Sequence, residues 1–378
     1  MLQKVKSLLA GEQKKFAAAP LISLHTVGRP QWTPRNYAAL AKEGFAGNAI
    51  GYRCVRMIAE AASSVPLIIY DGDRELASHP LKQLLGRPNP AQSGRELIEN
   101  ILSFLLVAGN SYVEVSILDG SPRELVALRP DRVRVVAGAR GWPEAYEYTV
   151  AGASTRLPAE TVLHIKLFNP LDDYYGMSPL EAAARPIDTH NAASAWNKAM
   201  LDNAACPSGA LVFAPSDNQL TTEQIDRLKG ELEDNYQGAA NAGRPMVLEG
   251  DLDWKEMGFS PKDMEFIEAK NASAREVALA FGVPPMLLGI PGDNTFANYA
   301  EANRTFWRQS VVPLLGRVTE ALTNFLGPQF GEKIRLSYDL DQVEALSADR
   351  DTLWARVDRA SFLTPDEKRE AVGYGRSE

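Results

Sequence analysis

The chain is organised around one late stretch of hydrophobic periodicity. Trp307, Val311, Leu314, Leu315, Val318, Ala321, Leu322, Phe325 and Leu326 recur at three- and four-residue spacing, as on one face of an amphipathic helix. The pattern predicts a helix from about Asn298 to Leu326, roughly 44 Å long at 1.5 Å per residue, kinked where Pro313 removes a backbone donor. Ahead of it the chain is built to turn. Gly282 closes a preceding helix and Pro284-Pro285 prevents its continuation. Leu288 to Thr295 then holds two glycines, Pro291 and the pair Asp293-Asn294, a loop composition. A long helix entered through a polar loop reads either as a core helix behind a surface turn or as a lever whose loop touches something that moves.

Upstream, residues 1–44 read as a flexible N-terminal arm, since Pro20, Gly28, Pro30 and Pro34 break any period. A helix begins near Asn48, with Ile50, Cys54, Met57, Ile58 and Ala61 on one face, and runs into a buried strand at Val65 to Tyr70. Ser93 and Glu96 form a capping box for a helix that ends at Gly109. Val113, Val115 and Ile117, then Val133 and Val135, then Leu163, Ile165 and Leu167 alternate with polar neighbours, and Tyr146, Tyr148 and Val150 add a fourth such run. Residues 48–168 therefore predict a mixed α+β domain with a largely antiparallel sheet. Ser178-Pro179-Leu180-Glu181 opens a helix that Pro186 should kink or break, and a second run extends from Ile187 to about Ala205. Residues 207–260 read as a smaller unit, with strands at 210–213, 246–248 and 252–257 and a helix from Thr221 to Tyr236. Ser260-Pro261 starts the helix that leads to Phe281. Beyond the long helix come a strand at Ile334 to Tyr338, a charged helix over 341–360 and a short helix capped by Thr364.

Composition narrows the chemistry. The 378 residues carry a formal charge of -8, which argues against tight nucleic-acid binding through a broad basic face but not against a surface that nucleic acid slides past. Pro215 to Tyr236 holds six acids against two bases, either a solvated helix face or a partner surface. Cys54 and Cys206 read as reduced thiols without metal-ligand spacing. The longest apolar run, Ile101 to Ala108, cannot span a bilayer, so the reading is a soluble, non-secreted protein with no membrane contact. No phosphate-binding glycine loop and no nucleophile elbow is present. Of the four histidines, His164 sits on the polar side of its strand and reads as a surface residue, His79 precedes a proline in a turn, and His190 lies on a different helix face from Asp188. Asp172-Asp173 is the best acid pair, in a loop where solvation and metal-assisted acid–base chemistry are both open. No cofactor is implied.

Five stretches taken in order carry a resemblance. They are Asn48 to Glu60 running into Val65-Pro66-Leu67; His79-Pro80-Leu81 with Leu84-Leu85 and Pro88-Asn89-Pro90; Gly109-Asn110-Ser111-Tyr112; Tyr175 to Leu180; and Phe281-Gly282-Val283-Pro284-Pro285 with Leu288-Gly289 and Thr295 to Asn303. Across roughly residues 45–330 the chain resembles the portal proteins of tailed phages with HK97-type capsids, most of all compact forms such as those of gene transfer agents, or of a prophage. The resemblance implies an α+β portal-type fold forming a dodecameric ring at one capsid vertex. Double-stranded DNA would pass through its axis without sequence specificity. By element order, residues 45–177 would form the first part of the wing, 178–206 and 261–283 two stem helices, and 207–260 the clip. Residues 284–297 would be the tunnel loop, 298–340 the long helix with the rest of the wing, and 341–378 a short crown. Asp293, Asn294, Thr295 and Asn298 would face the DNA. Glu231, Asp234, Asn241 and Arg244 of the clip would meet the large terminase subunit and then the head–tail adaptor, and the ring would sit in the major capsid protein shell of a particle assembled in the bacterial cytoplasm. Two alternatives stand beside this reading: a non-channel adaptor or scaffold acting through 207–260, and a metal-dependent hydrolase using Asp172 and Asp173.

Overall fold

The computed structural model describes residues 32–139, 141–202, 209–213, 223, 252–256, 266–292, 296–331 and 333–374. The chain divides into two compact units, Met1–Trp32 and Thr33–Glu378, and the fold below is that of the second.

Asn36 caps a short helix α1 (Tyr37–Ala39) through its side chain, and the chain continues as a π-helical turn over Leu40–Ala46. This part of the sequence, read as a loosely ordered arm up to residue 44, is therefore helical from Tyr37, and Leu40 is buried in the core. Its apolar residues fall at Tyr37, Leu40 and Phe45, too few turns for a period to register beside three prolines. Helix α2 (Ala49–Ser63) follows, with Asn48 Oδ1 accepting from the backbone N–H groups of Ile50 and Gly51. Strands β1 (Leu67–Asp71) and β2 (Arg74–Glu75) form a hairpin, with Gly72 at φ +61 in its two-residue turn. Helices α3 (Pro80–Gly86) and α4 (Gly94–Ala108) come next. At α4 both halves of the Ser93–Glu96 capping box are made, and Gly109 ends the helix at φ +72.

Six strands then form two antiparallel sheets. In one the order is β4 (Ser121–Leu128), β3 (Asn110–Leu118), β8 (Val162–Lys166); in the other it is β5 (Val133–Ala137), β6 (Pro143–Val150), β7 (Ala153–Pro158). Four of the six are the alternating runs of the sequence. Strand β4 escaped because it buries Pro122, Leu125 and Leu128, every third residue, opposite a register shift at Ser116/Ile117. Strand β7 escaped because of its six residues only Leu157 is buried. The sheets enclose a small core of Tyr112, Leu128, Val133, Tyr146, Leu157 and Val162. The larger core joins Cys54, Ile58, Leu97, Ile101, Leu105, Val277, Leu315, Val318 and Leu322, all of them at or below 1 % exposure.

After β8 the chain forms α5 (Pro179–Ala182), capped by Ser178, and α6 (Ala184–Asp202). The break falls at Ala183 rather than at Pro186. Pro186 lies in the first turn of α6, where an N–H has no helical acceptor and the missing donor costs nothing. Strands β9 (Gly209–Phe213) and β10 (Leu252–Glu256) pair antiparallel between α6 and α7 (Phe266–Phe281). The expected helix at 221–236, the strand at 246–248 and the helix start at Ser260 lie outside the described residues, Glu223 excepted.

The long helix has two α segments, α8 (Phe296–Phe306) and α9 (Val312–Leu326), joined by a π-helical turn over Trp307–Val311. Val312 N–H donates to Trp307 carbonyl across the widened turn, which makes room for Pro313 where an α turn would press its ring against the preceding carbonyl. Strand β11 (Ile334–Tyr338) pairs with β1 along five residues and so returns the chain to its first strand. Helix α10 (Ser347–Asp358) begins later than the charged run at 341, behind a 3-10 turn at Glu344–Leu346. Helix α11 (Pro365–Ala371) carries the complete Thr364–Glu367 box.

Candidate functional site

Two features stand out as positioned rather than merely packed: the α6–α7 arm and the limb that leads from it into the long helix. The arm is rooted in polar contacts. Asp188 on α6 accepts from Thr33 N–H at 2.8 Å and from the Thr33 hydroxyl. Asn48 Nδ2 donates to Asn191 Oδ1 at 2.8 Å and faces His190 Nδ1 at 3.2 Å, while Asn191 Nδ2 donates to Glu43 carbonyl. Because Asn48 brings a donor, the His190 ring receives it on Nδ1 and keeps its proton on Nε2. Burial, with the Lys270 ammonium beside it, holds this histidine below its usual range. His190 and Asp188 thus serve different partners, as their spacing implied.

The limb begins where α7 stops. Gly282 takes φ +66, and its carbonyl accepts from Ser310 Oγ of the π turn at 2.6 Å. A side chain at 282 would be strained in that backbone and would also meet Ser310 Oγ at 2.7 Å. Pro285–Leu288 forms a 3-10 turn that Gly289 closes at φ +72. Ile290 N–H then donates to Pro285 carbonyl, and the Ile290 side chain is buried. The Arg275 guanidinium, on α7, donates to Pro291 carbonyl. Between these elements lies a cleft of about 460 Å³ lined by Arg275, Met286, Ile290, Pro291, Asn298 and Glu301 among others. Asn298 is exposed in the first turn of α8. Asp293, Asn294 and Thr295 lie outside the described residues, as do Glu231, Asp234, Asn241 and Arg244.

The acid pair has a different use. Asp172 Oδ1 accepts from the N–H groups of Tyr174 and Tyr175 at 2.7 and 2.9 Å, and Lys166 donates to Asp173 carbonyl. The first carboxylate therefore shapes its own turn. Among the described residues no group of three or more His, Cys, Asp or Glu is arranged to hold a metal ion. The Cys54 thiol is pushed up to about 12 by burial, so it is a core group rather than a nucleophile.

His164 corrects the sequence reading. It is not a surface residue: its ring stacks on Tyr112 at 4.3 Å and meets Tyr146 edge-on at 5.8 Å, because the second sheet covers the polar side of β8. Its Nε2 lies 3.0 Å from Asn110 Oδ1. That amide donates through Nδ2 to Ala108 and Gly176 carbonyls, and its Oδ1 also accepts from Gly176 N–H. Asn110 thereby clamps the Tyr175-Gly176 turn against the end of α4. Sequence reasoning missed Asn110 and Arg275. The signals for the first are its place after a helix-ending glycine and within the stretch Gly109 to Tyr112 that carries the resemblance, and nothing in its neighbours distinguishes Arg275 from a solvated helix cation.

A family model described as phage portal protein matches residues 49–373. By sequence, a probable portal protein of Streptomyces phage phiC31 is 27% identical over 338 residues, 85% of this chain and 73% of that one. An uncharacterized protein of Rickettsia bellii is 41% identical over 339 residues, 88% of each chain. By structure, a chain in the neck of an empty GTA particle computed with C6 symmetry is 54% identical, covers 93% of this chain and 96% of its own, and superposes with a TM-score of 0.72. A chain in the neck of a native GTA particle computed with C12 symmetry is 53% identical at the same coverage, with a TM-score of 0.70.

Proposed function

The chain belongs to the phage portal protein family, and from that premise we propose that twelve copies close into a ring at one vertex of a phage-like particle, through which double-stranded DNA is packaged and ejected. The observation that carries this reading is the similarity over 93% of the chain to a protein in the neck of GTA particles, one of them computed with C12 symmetry. That similarity also favours a gene transfer agent over a phage or prophage as the particle. The role is structural rather than catalytic.

In this reading α6 and α7 form one stave of a tube, and the strands between them belong to the clip. The clip, residues 207–260 with Glu231, Asp234, Asn241 and Arg244, docks the packaging motor and later the head–tail adaptor. The tunnel loop at 284–297 and the first turn of α8 carry Asp293, Asn294, Thr295 and Asn298 to the axis. Three of these four are uncharged, so they touch phosphate without the Coulomb attraction that would hold a moving duplex. Twelve weak contacts repeated around the axis brake the DNA through multiplicity.

Replacing Asn294, Thr295 and Asn298 together by Ala in the particle tests this assignment. DNA content per particle should fall while ring assembly is kept. Unchanged DNA content and retention would remove the loop from the DNA path.

A further inference from the structure

We propose that Arg275 is the residue that positions the first part of the tunnel loop, the limb at 282–292, by tying its far end to the stem helix α7. The inference rests on the channel reading for its consequence, but not for its geometry.

The limb is fixed at successive points. At its root, Ser310 Oγ donates to Gly282 carbonyl. In its middle, Gly289 N–H and Ile290 N–H return to Met286 and Pro285 carbonyls at 3.3 Å, and Ile290 is only 5% exposed. At its far end Arg275 Nη2 donates to the carbonyl of Pro291 from 16 residues upstream. The same nitrogen would lie 4.0 Å from a Cβ placed on Gly292, so the guanidinium reaches to the end of the limb. Proline fixes φ at its own position. Holding the carbonyl of Pro291 therefore fixes the direction in which the chain enters Gly292. The chain re-enters helix at Phe296. Four residues (292–295) lie between these two points, and four residues reach about 14 Å at most. Arginine suits the task because its charge strengthens the hydrogen bond to a carbonyl and its planar fork costs little ordering per bond formed.

Arg275 stands before the last turn of α7, which holds no basic residue, so it is not a partner for the helix dipole there. Its simpler use is as a cation on the surface of α7 itself. The two roles separate by where their loss is felt. Loss of a surface cation is felt within α7. Loss of the tie loosens the limb.

Hydrogen exchange on the full-length, DNA-free protein decides between them. In Arg275→Gln, amides of Met286 to Gly292 should exchange about fivefold faster, the factor an ordinary hydrogen bond contributes to an opening equilibrium. Amides of the last turn of α7 should hold their rates, and Arg275→Lys, which keeps a charged donor, should recover part of the protection. Equal limb exchange in wild type and Arg275→Gln would overturn the proposal, as would acceleration confined to α7. Because no DNA is present, this outcome is independent of whether the loop contacts DNA. If the limb loosens while the loop substitutions above leave DNA content unchanged, the positioning role stands and the channel assignment of the loop falls.

Discussion

His164 holds a neutral ring between two tyrosines, and burial carries it down to about 3, helped by the charge of Lys166. Its partner fixes the tautomer. Asn110 spends Nδ2 on two carbonyls, so its Oδ1 faces the ring and Nε2 carries the proton. A histidine that stays neutral in the fold but protonates freely when unfolded contributes fully above about pH 6.5, and that contribution is lost as pH falls toward 3. His164→Gln keeps a donor near the Nε2 position and removes the titration. Its melting temperature should start below wild type, for want of the stacked ring, and the gap should narrow steadily between pH 6.5 and 4. A constant gap across that range would deny the neutral ring its role. Part of this was legible in the sequence and part was not. Alternation correctly put Leu163 and Ile165 on one side of the strand and His164 on the other. It could not tell that the other side faces a second sheet, because β7, which completes that sheet, carries almost no hydrophobic pattern.

Among the elements, the sequence signal is strongest where side chain and backbone answer each other within one turn. The boxes at Ser93–Glu96 and Thr364–Glu367 are made as their sequences imply, and Ser178 caps α5. Ser93→Ala should cost about 1 kcal/mol in equilibrium unfolding, since it strands the Glu96 N–H and removes one of the two hydrogen bonds that hold the Glu96 carboxyl below its usual range. Loss of under about 0.2 kcal/mol would mean that water replaces the cap at no cost. Proline was harder to place. At 186 its fixed φ begins a helix, whereas at 313 it is absorbed by a π turn, and the difference depends on where the helix starts rather than on the proline. The limb at 282–291 was legible as a turn from its glycines and prolines. Its tie to Arg275 was not, because a contact between residues 16 apart across a change of direction leaves no local trace.

For the whole molecule, the order of elements agrees with the similarity that carries the functional reading. A pair of packed helices with a small antiparallel unit between them, then a cornered limb, then a helix of 31 residues counted through its π turn, occurs within a chain that is 54% identical to a protein of a GTA particle neck. The net charge of -8 fits a channel that passes DNA rather than one that grips it. Among the described residues no helix is long and apolar enough to cross a membrane. What no single chain displays is closure, since a heterologous interface forms a ring only when the rotation between neighbours divides a full turn. The mass of the purified protein in solution, from light scattering behind a sizing column with negative-stain images of the same peak, tests the central claim most directly. The expected result is a particle of about twelve chains with a central hole, matching the C12 symmetry of the related neck. A stable dimer that forms no rings at any salt concentration would contradict it.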